Sequence, residues 1–335
     1  IEDFHRGLSS ILGAPKKLLY EAMEEEFCDS DDSDLDFCAG NYGTITNSRI
    51  EWHFVIDPTE KSLKKLNRDE WPSETKLDPN DQRKCRTIDS FDDDLAQTNV
   101  KLQRLGMPSM TIIEVIALRL YSGPIGGKLN KMLRARIAGH REGQGGRLDE
   151  ERKLCLGNKY TTTIHVIQSA ISKLGKINPN EKGYWGGNNM VLNERFWTSH
   201  PDLHCKGGVE GGFMSVTTNR SVAEFYARLK KDRLGVILEV DMSTMDRGAE
   251  LSWIAQYPHE KETLLPPLTY LHVEHIRIDQ RKDNPMMIVE ARARISQSIK
   301  VQMPLLTDAE NALMRQAIKE EINSSVITNS KLLSR

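Results

Sequence analysis

Apolar residues recur at helical spacing through the middle of the chain and at strand spacing beyond it. From Thr111, the positions Ile112, Ile113, Val115, Ile116, Leu118 and Leu120 predict a buried helix that ends near Gly123-Pro124. Leu129, Met132, Leu133 and Ile137 continue the helical spacing, and the glycine-rich run from His140 to Gly146 breaks it. Tyr160 to Lys173 predicts a second strong helix, with Ile164, Ile167, Ile171 and Leu174 along one face. Beyond Gly183 the period shortens. Strands are expected over 183–186, 212–217, 234–242, 262–265, 268–278 and 286–296, interrupted by one helix from Arg220 to Leu229. Helices first and strands afterwards predict an α+β fold.

Before residue 106 the pattern weakens. Trp52, Phe54 and Ile56 alternate as in a strand, and the rest of 50–105 mixes Pro58, Pro72 and Pro79 with many charges. The acidic stretch from Glu21 to Asp36 lacks the central glycine and the ligand spacing of a calcium loop, so a solvated acidic loop is expected. Residues 308–322 predict a terminal amphipathic helix. The organisation that follows is an N-terminal extension over 1–105, a catalytic domain over 106–300 and a helical tail over 301–335. The domain divides into a helical lobe, 106–178, and sheets, 179–300.

Composition narrows the function classes. The chain has 335 residues, 38% hydrophobic and 28% charged, with a net charge of −2. That balance fits a soluble globular protein and gives no basic pull toward nucleic acid. No apolar run is long enough to suggest a membrane span. The five cysteines, Cys28, Cys38, Cys85, Cys155 and Cys205, are scattered and form no C-x-x-C pair, so neither a metal site nor a disulfide framework is expected. A reducing, cytoplasmic compartment suits them best. The chain opens on Ile1, as a fragment would, so it carries no information about a signal peptide.

The most informative stretch runs from Trp253 to Leu268 and contains Glu260-Lys261-Glu262. On a strand, carboxylates at i and i+2 project from one face, repel each other, and raise one pKa. Such a pair suits acid–base or cation-stabilising work, although E-x-E alone also describes an exposed charge pair on an edge strand. Upstream, Ser215 and Thr217 alternate with Val216 just before the helix that begins near Asn219. Farther upstream lies Gly183-Tyr184-Trp185-Gly186-Gly187.

Taken in order, these three stretches resemble the signatures of the arginine-specific, cholera-toxin-like mono-ADP-ribosyltransferases, a class defined by an Arg, a Ser-containing strand and an E-x-E. The resemblance spans about residues 112–275. It implies a fold of two packed antiparallel or mixed β-sheets behind a helical lobe, and NAD as the substrate. It also implies transfer of ADP-ribose to an accessible arginine of a partner protein. By resemblance, Glu262 holds the ribose 2′-hydroxyl while the oxocarbenium-like charge develops, Glu260 orients and deprotonates the acceptor, and Ser215 braces the catalytic glutamate. Tyr184, Trp185, Gly186, Phe213, Ser215, Thr217 and Glu262 would line the NAD site. Trp253, Gln256 and Tyr257 would form the substrate-recognition turn. Phe225 and Tyr226, in the following helix, are expected in the core.

The sequence departs from the pattern at the first signature, where Trp185 stands in the place of the arginine. An indole offers one N–H and no charge, and loss of a charged phosphate contact weakens binding by roughly 10- to 100-fold. The substitution fits an engineered change, a degenerate site, or a site with a substitute cation such as Lys182 or Arg195. Trp185 itself suits stacking on an NAD ring as well as it suits packing in the core. NAD glycohydrolase activity, or a binding module that has lost catalysis, are the alternatives these residues leave open.

Overall fold

The computed structural model describes residues 19–39, 44–58, 83–138, 153–180, 182–188, 192–199, 205–227, 235–243, 246–279 and 286–295. All fall within one compact unit, Ile1–Ser298; the second, Ile299–Arg335, lies outside the described residues, and with it the expected helix over 308–322. The glycine-rich run from His140 to Gly146 is outside them too.

The helical lobe contains α1 (Leu19–Glu24), α2 (Ser48–Ile56), α3 (Asp92–Arg104), α4 (Ile112–Tyr121), α5 (Ile125–Ala138) and α6 (Thr161–Leu174). A two-stranded hairpin, β1 (Phe37–Ala39) with β2 (Thr44–Thr46), precedes α2. Helix α4 starts where the Glu114 carboxylate reaches back to accept the Thr111 N–H at 2.9 Å, which satisfies one orphan donor of the first turn. Its Val115, Ile116, Leu118 and Leu120 are buried, as their spacing predicts.

Two expectations for the N-terminal region are corrected. Residues 52–56 are helical. Asn47 caps α2 by accepting the Ile50 N–H at 2.9 Å, and the buried positions 48, 51, 52 and 55 recur at helical spacing, which overrides the local alternation of Trp52, Phe54 and Ile56. The acidic stretch is not wholly solvated. Asp32 is fully buried in an ion pair with Lys128 at 2.6 Å and accepts hydrogen bonds from Tyr160 and Asn158. The Glu26 carboxylate accepts the N–H groups of Thr162 and Thr163, so a residue far upstream supplies the anion for the N-terminus of α6. Trp52, Phe27 and Phe54 belong to the same apolar core as α4, α5 and α6.

The strands are β3 (Lys182–Asn188), β4 (Gly207–Glu210), β5 (Met214–Thr217), β6 (Gly235–Asp241), β7 (Ala249–Glu250), β8 (Glu262–Leu265), β9 (Thr269–Asp279) and β10 (Met286–Arg294), with α7 (Arg220–Ala227) after β5. They form one ladder in the order β4-β9-β10-β6-β3-β5-β8-β7, mixed because β6 and β10 run parallel. The ladder narrows to a single paired position, Tyr184 opposite Thr217, between β3 and β5. That joint divides it into two halves. A second apolar core joins them, with Met214, Val216 and Leu265 from one half and Val236, Leu238, Val240 and Val289 from the other. This is the expected α+β architecture, a helical lobe followed by a mixed sheet core. Among the described residues no helix is long and apolar enough to cross a membrane.

Candidate active site

The site is assembled across the joint between the two halves of the sheet. Thr217 on β5 stands opposite Glu262 on β8 and opposite Tyr184 on β3, and Tyr184 stands opposite Glu239 on β6. Directly paired residues project from the same face, so these four side chains form one polar row. Ser215, two residues before Thr217, faces the same way, and its hydroxyl donates to the Glu262 carboxylate.

Glu262 is buried, only 7% exposed. Burial pushes its carboxyl up to about 7, the Ser215 hydrogen bond pulls the other way, and the charge of Glu260 adds to the rise. A carboxyl in that range exchanges its proton near neutral pH. The helical lobe closes the other side. Asn130 on α5 donates to the Tyr121 hydroxyl at 3.0 Å and to the Phe213 carbonyl at 3.1 Å, and accepts the Phe213 N–H at 2.8 Å. Burial, with the Glu262 charge next, holds the Tyr121 phenol protonated well above its ordinary range.

The two glutamates do not share a strand. Glu260 ends a 3₁₀ turn, Pro258–Glu260, Lys261 is left-handed at φ 47°, and β8 begins at Glu262. The reversal at Lys261 replaces the expected strand alternation. Glu260 is instead held by contacts that include one from a helix and one from a strand. The Tyr226 hydroxyl on α7 donates to its carboxylate, and the Thr217 hydroxyl donates to its backbone carbonyl at 2.6 Å. Tyr226 is therefore part of the site and not of the core, and Phe225 is 51% exposed; both correct the expectation for this helix. Helix α7 turns its Ala223 and Ala227 inward and leaves Phe225 outside, a pattern its short length hides in the sequence.

Several other expected contacts are relocated. Trp185 is half-buried and packs on the core beside Met214, Val216 and Leu238, on the face opposite Tyr184. Gly186 lies against α7: a Cβ there would come within 1.9 Å of the Ala223 carbonyl oxygen, so the glycine serves helix–strand packing. Phe213 is 1% exposed and meets Tyr121 edge-on, inside the helical-lobe core. Gln256 is fully buried and hydrogen-bonded to Arg83, Arg119 and Ser122, so it cannot face a substrate. Trp253 is half-buried and meets the Phe91 ring in an edge-to-face contact, and Tyr257 is 8% exposed. Between this turn and α3 lies a cleft of about 520 Å³, walled by Trp253, Pro258 and Lys261 on one side and by Asp94 and Lys101 on the other.

A cation does stand on the Tyr184 face. Arg220, at the start of α7, places its guanidinium 5.9 Å from the Tyr184 ring centroid and pairs with Glu239 at 2.7 Å and Glu224 at 3.2 Å. Lys182 pairs with Asp241 at 3.4 Å near the strand end, and the Arg195 side chain lies outside the described residues. Tyr226, Arg220 and Glu239 are the residues that sequence reasoning missed. Their only local signal is position, just after the Ser-x-Thr strand or opposite the aromatic strand.

No curated protein matches the chain. Among solved structures it is similar to Vis toxin, an ADP-ribosyltransferase from Vibrio splendidus, at 18% identity over 64% of this chain and 86% of that one, with a TM-score of 0.40. The ADP-ribosyltransferase HopU1 of Pseudomonas syringae pv. Tomato DC3000 is similar at 18% identity over 62% and 88%, TM-score 0.41. Exoenzyme S from Pseudomonas aeruginosa, solved with human 14-3-3 protein beta and bound to carba-NAD, is similar at 20% identity over 61% and 84%, TM-score 0.37. The family model for ADP-ribosyltransferase exoenzymes matches residues 88–295, which hold every strand from β3 to β10 and both glutamates. With that match over more than half of its length, the chain belongs to the ADP-ribosyltransferase exoenzyme family.

Proposed function

We propose that this protein transfers ADP-ribose from NAD to the side chain of an arginine on a partner protein. The observation that carries the reading is the buried Glu262 carboxylate with its hydrogen bond from Ser215, and Glu260 held beside it by Tyr226 and Thr217. Cleavage of the nicotinamide–ribose bond leaves positive charge on C1 and the ring oxygen. An ionised Glu262 at the ribose favours that charge, and its burial strengthens the attraction. Ser215 orients the carboxylate.

Glu260 serves the acceptor. A guanidinium is fully protonated near neutral pH, so it must lose a proton as its nitrogen bonds to C1. A carboxylate binds the guanidinium through paired hydrogen bonds and accepts that proton late in the reaction. The Tyr226 hydroxyl donates to the Glu260 carboxylate and so orients it toward the acceptor.

For the NAD phosphates the cation is Arg220 rather than the residue at 185. Trp185 packs on the opposite face of β3, whereas Arg220 stands over Tyr184 in the row that leads to Glu262. A forked guanidinium matches phosphate oxygens, and it would exchange part of its pairing with Glu239 and Glu224 for them.

Turnover of labelled NAD, with and without the arginine mimic agmatine, tests the reading. ADP-ribosyl-agmatine should form together with nicotinamide. Release of nicotinamide without any agmatine product would assign the site to hydrolysis, and release of neither would remove the enzymatic reading.

A further inference from the structure

The turn that precedes Glu260 is held from outside by residues that include three, Arg83, Lys84 and Arg86, upstream of the family match. Four consecutive carbonyls, those of Trp253, Ile254, Ala255 and Gln256, each accept a hydrogen bond from another part of the chain. Arg86 donates to Trp253 at 2.8 Å. Arg119 donates to Ile254 at 2.8 Å and to Ala255 at 3.3 Å. The Lys84 N–H donates to Gln256 at 2.7 Å. The Gln256 side chain closes the arrangement: Arg83 donates to its Oε1, and its Nε2 donates to the Arg119 carbonyl at 2.7 Å. The fit is tight, since a Cβ on Gly123 would lie 2.3 Å from Gln256 Nε2.

Arg83 and Arg119 are almost wholly buried, at 5% and 1% exposure. The carboxylate of Arg83 is Glu51 on α2, itself fully buried and braced by the Thr46 hydroxyl at 2.7 Å. Arg86 pairs with Asp94 at 3.0 Å, one wall of the cleft that the turn faces. Backbone carbonyls and the Phe91 ring surround the Arg119 charge. Burying guanidinium groups is costly unless hydrogen bonds satisfy them, and here much of that satisfaction comes from the turn itself.

We infer that Arg83, Arg86 and Arg119 are positioning residues that clamp the 253–256 turn, and so fix the acceptor side of the site and leave NAD cleavage at Glu262 to the sheet. This rests on the function proposed above. The segment around Arg83 and the helix carrying Glu51 then set the wall against which the acceptor arginine is presented.

The test compares the wild-type chain, Arg86→Met, Arg86→Lys and the charge-balanced pair Glu51→Gln with Arg83→Met, which removes both members of the buried ion pair and so avoids stranding a charge. Two measurements are made on each. Amide hydrogen exchange reads the turn directly and needs no activity: exchange at Ala255 and Gln256 should rise by about tenfold in Arg86→Met and in the paired variant, with Arg86→Lys closer to wild type. Turnover of NAD should keep its KM for NAD within about twofold while the KM for agmatine rises about tenfold, the lysine variant again recovering part of the loss. Unchanged exchange in the turn overturns the clamp. Faster exchange with an unmoved agmatine KM, or equal loss toward NAD and agmatine, overturns its role on the acceptor side. A wild-type chain that splits no NAD would sink the proposed function, and with it the acceptor role, while exchange still decides whether the arginines hold the turn.

Discussion

The Tyr226 hydroxyl donates to the Glu260 carboxylate, and through that bond the short helix after β5 takes hold of the turn before β8. Thr217 reaches the same residue from β5 through its backbone carbonyl. One glutamate is thus tied to a strand and a helix, while its neighbour two positions on is tied to Ser215. The two carboxylates are supported independently, and that independence allows their roles to be separated by mutation.

Tyr226→Phe should reduce transfer to agmatine by roughly tenfold, the value of a hydrogen bond to a charged group, and leave NAD hydrolysis nearly unchanged. Product analysis of a single reaction gives both rates. An equal fall in both would mean that Tyr226 supports the ribose side.

The raised pKa of Glu262 has two consequences of opposite sense. Nicotinamide release should increase as pH rises through about 7, because the proposed mechanism requires the ionised form. Stability moves the other way. The folded pKa lies above the ordinary 4.5, so the contribution is full below 4.5 and is lost as pH rises toward 7. Glu262→Gln should therefore be more stable than the wild type above neutral pH, by on the order of 3 kcal/mol, with little difference under acid conditions. Urea denaturation at several pH values reads this, and a pH-independent difference would contradict it.

Trp185→Arg supplies the arginine that the resemblance implies at this position but should not create a phosphate contact. Its side chain would enter the apolar core around Met214 and Val216, so a loss of about 2 kcal/mol or more in stability is expected. Arg220→Met should instead weaken NAD binding by about tenfold with the fold intact. Calorimetry of the two variants decides between the positions; tighter NAD binding by Trp185→Arg would move the phosphate site back to residue 185.

In the lobe, Lys128→Met strands the Asp32 carboxylate in the core and should cost about 3–5 kcal/mol. Burial alone would raise the Asp32 pKa, but hydrogen bonds from Lys128, Asn158 and Tyr160 win and hold it below its ordinary value. Its contribution is present above the ordinary carboxylate range and is lost as pH falls through the depressed pKa. Adding Asp32→Asn to Lys128→Met should recover much of the loss in a thermal melt.

What the sequence made legible was what repeats locally. Strand 262–265 and the helix beginning at Ile112 follow directly from apolar spacing. Helix α3 escaped that reading because only Thr98 and Leu102 are buried on it, too little apolar surface to show a period. The Trp52–Ile56 alternation misled because a capping side chain at Asn47 and burial of Ser48 and Glu51 decide the matter, and both are polar. The E-x-E was found as a pair, but the left-handed Lys261 between its members cannot be seen from composition. Tyr226, Arg220 and the arginine clamp depend on partners 19 to 173 residues away, and no local pattern carries such contacts.

The most direct test of the central claim, that Glu262 stabilises the charge formed at the ribose, is the rate of nicotinamide release from NAD by Glu262→Gln, with folding checked on the same sample. The variant should stay folded and lose the activity, by several hundredfold or more on the order expected for a preorganised electrostatic contact. A folded Glu262→Gln protein that releases nicotinamide at the wild-type rate would contradict the account.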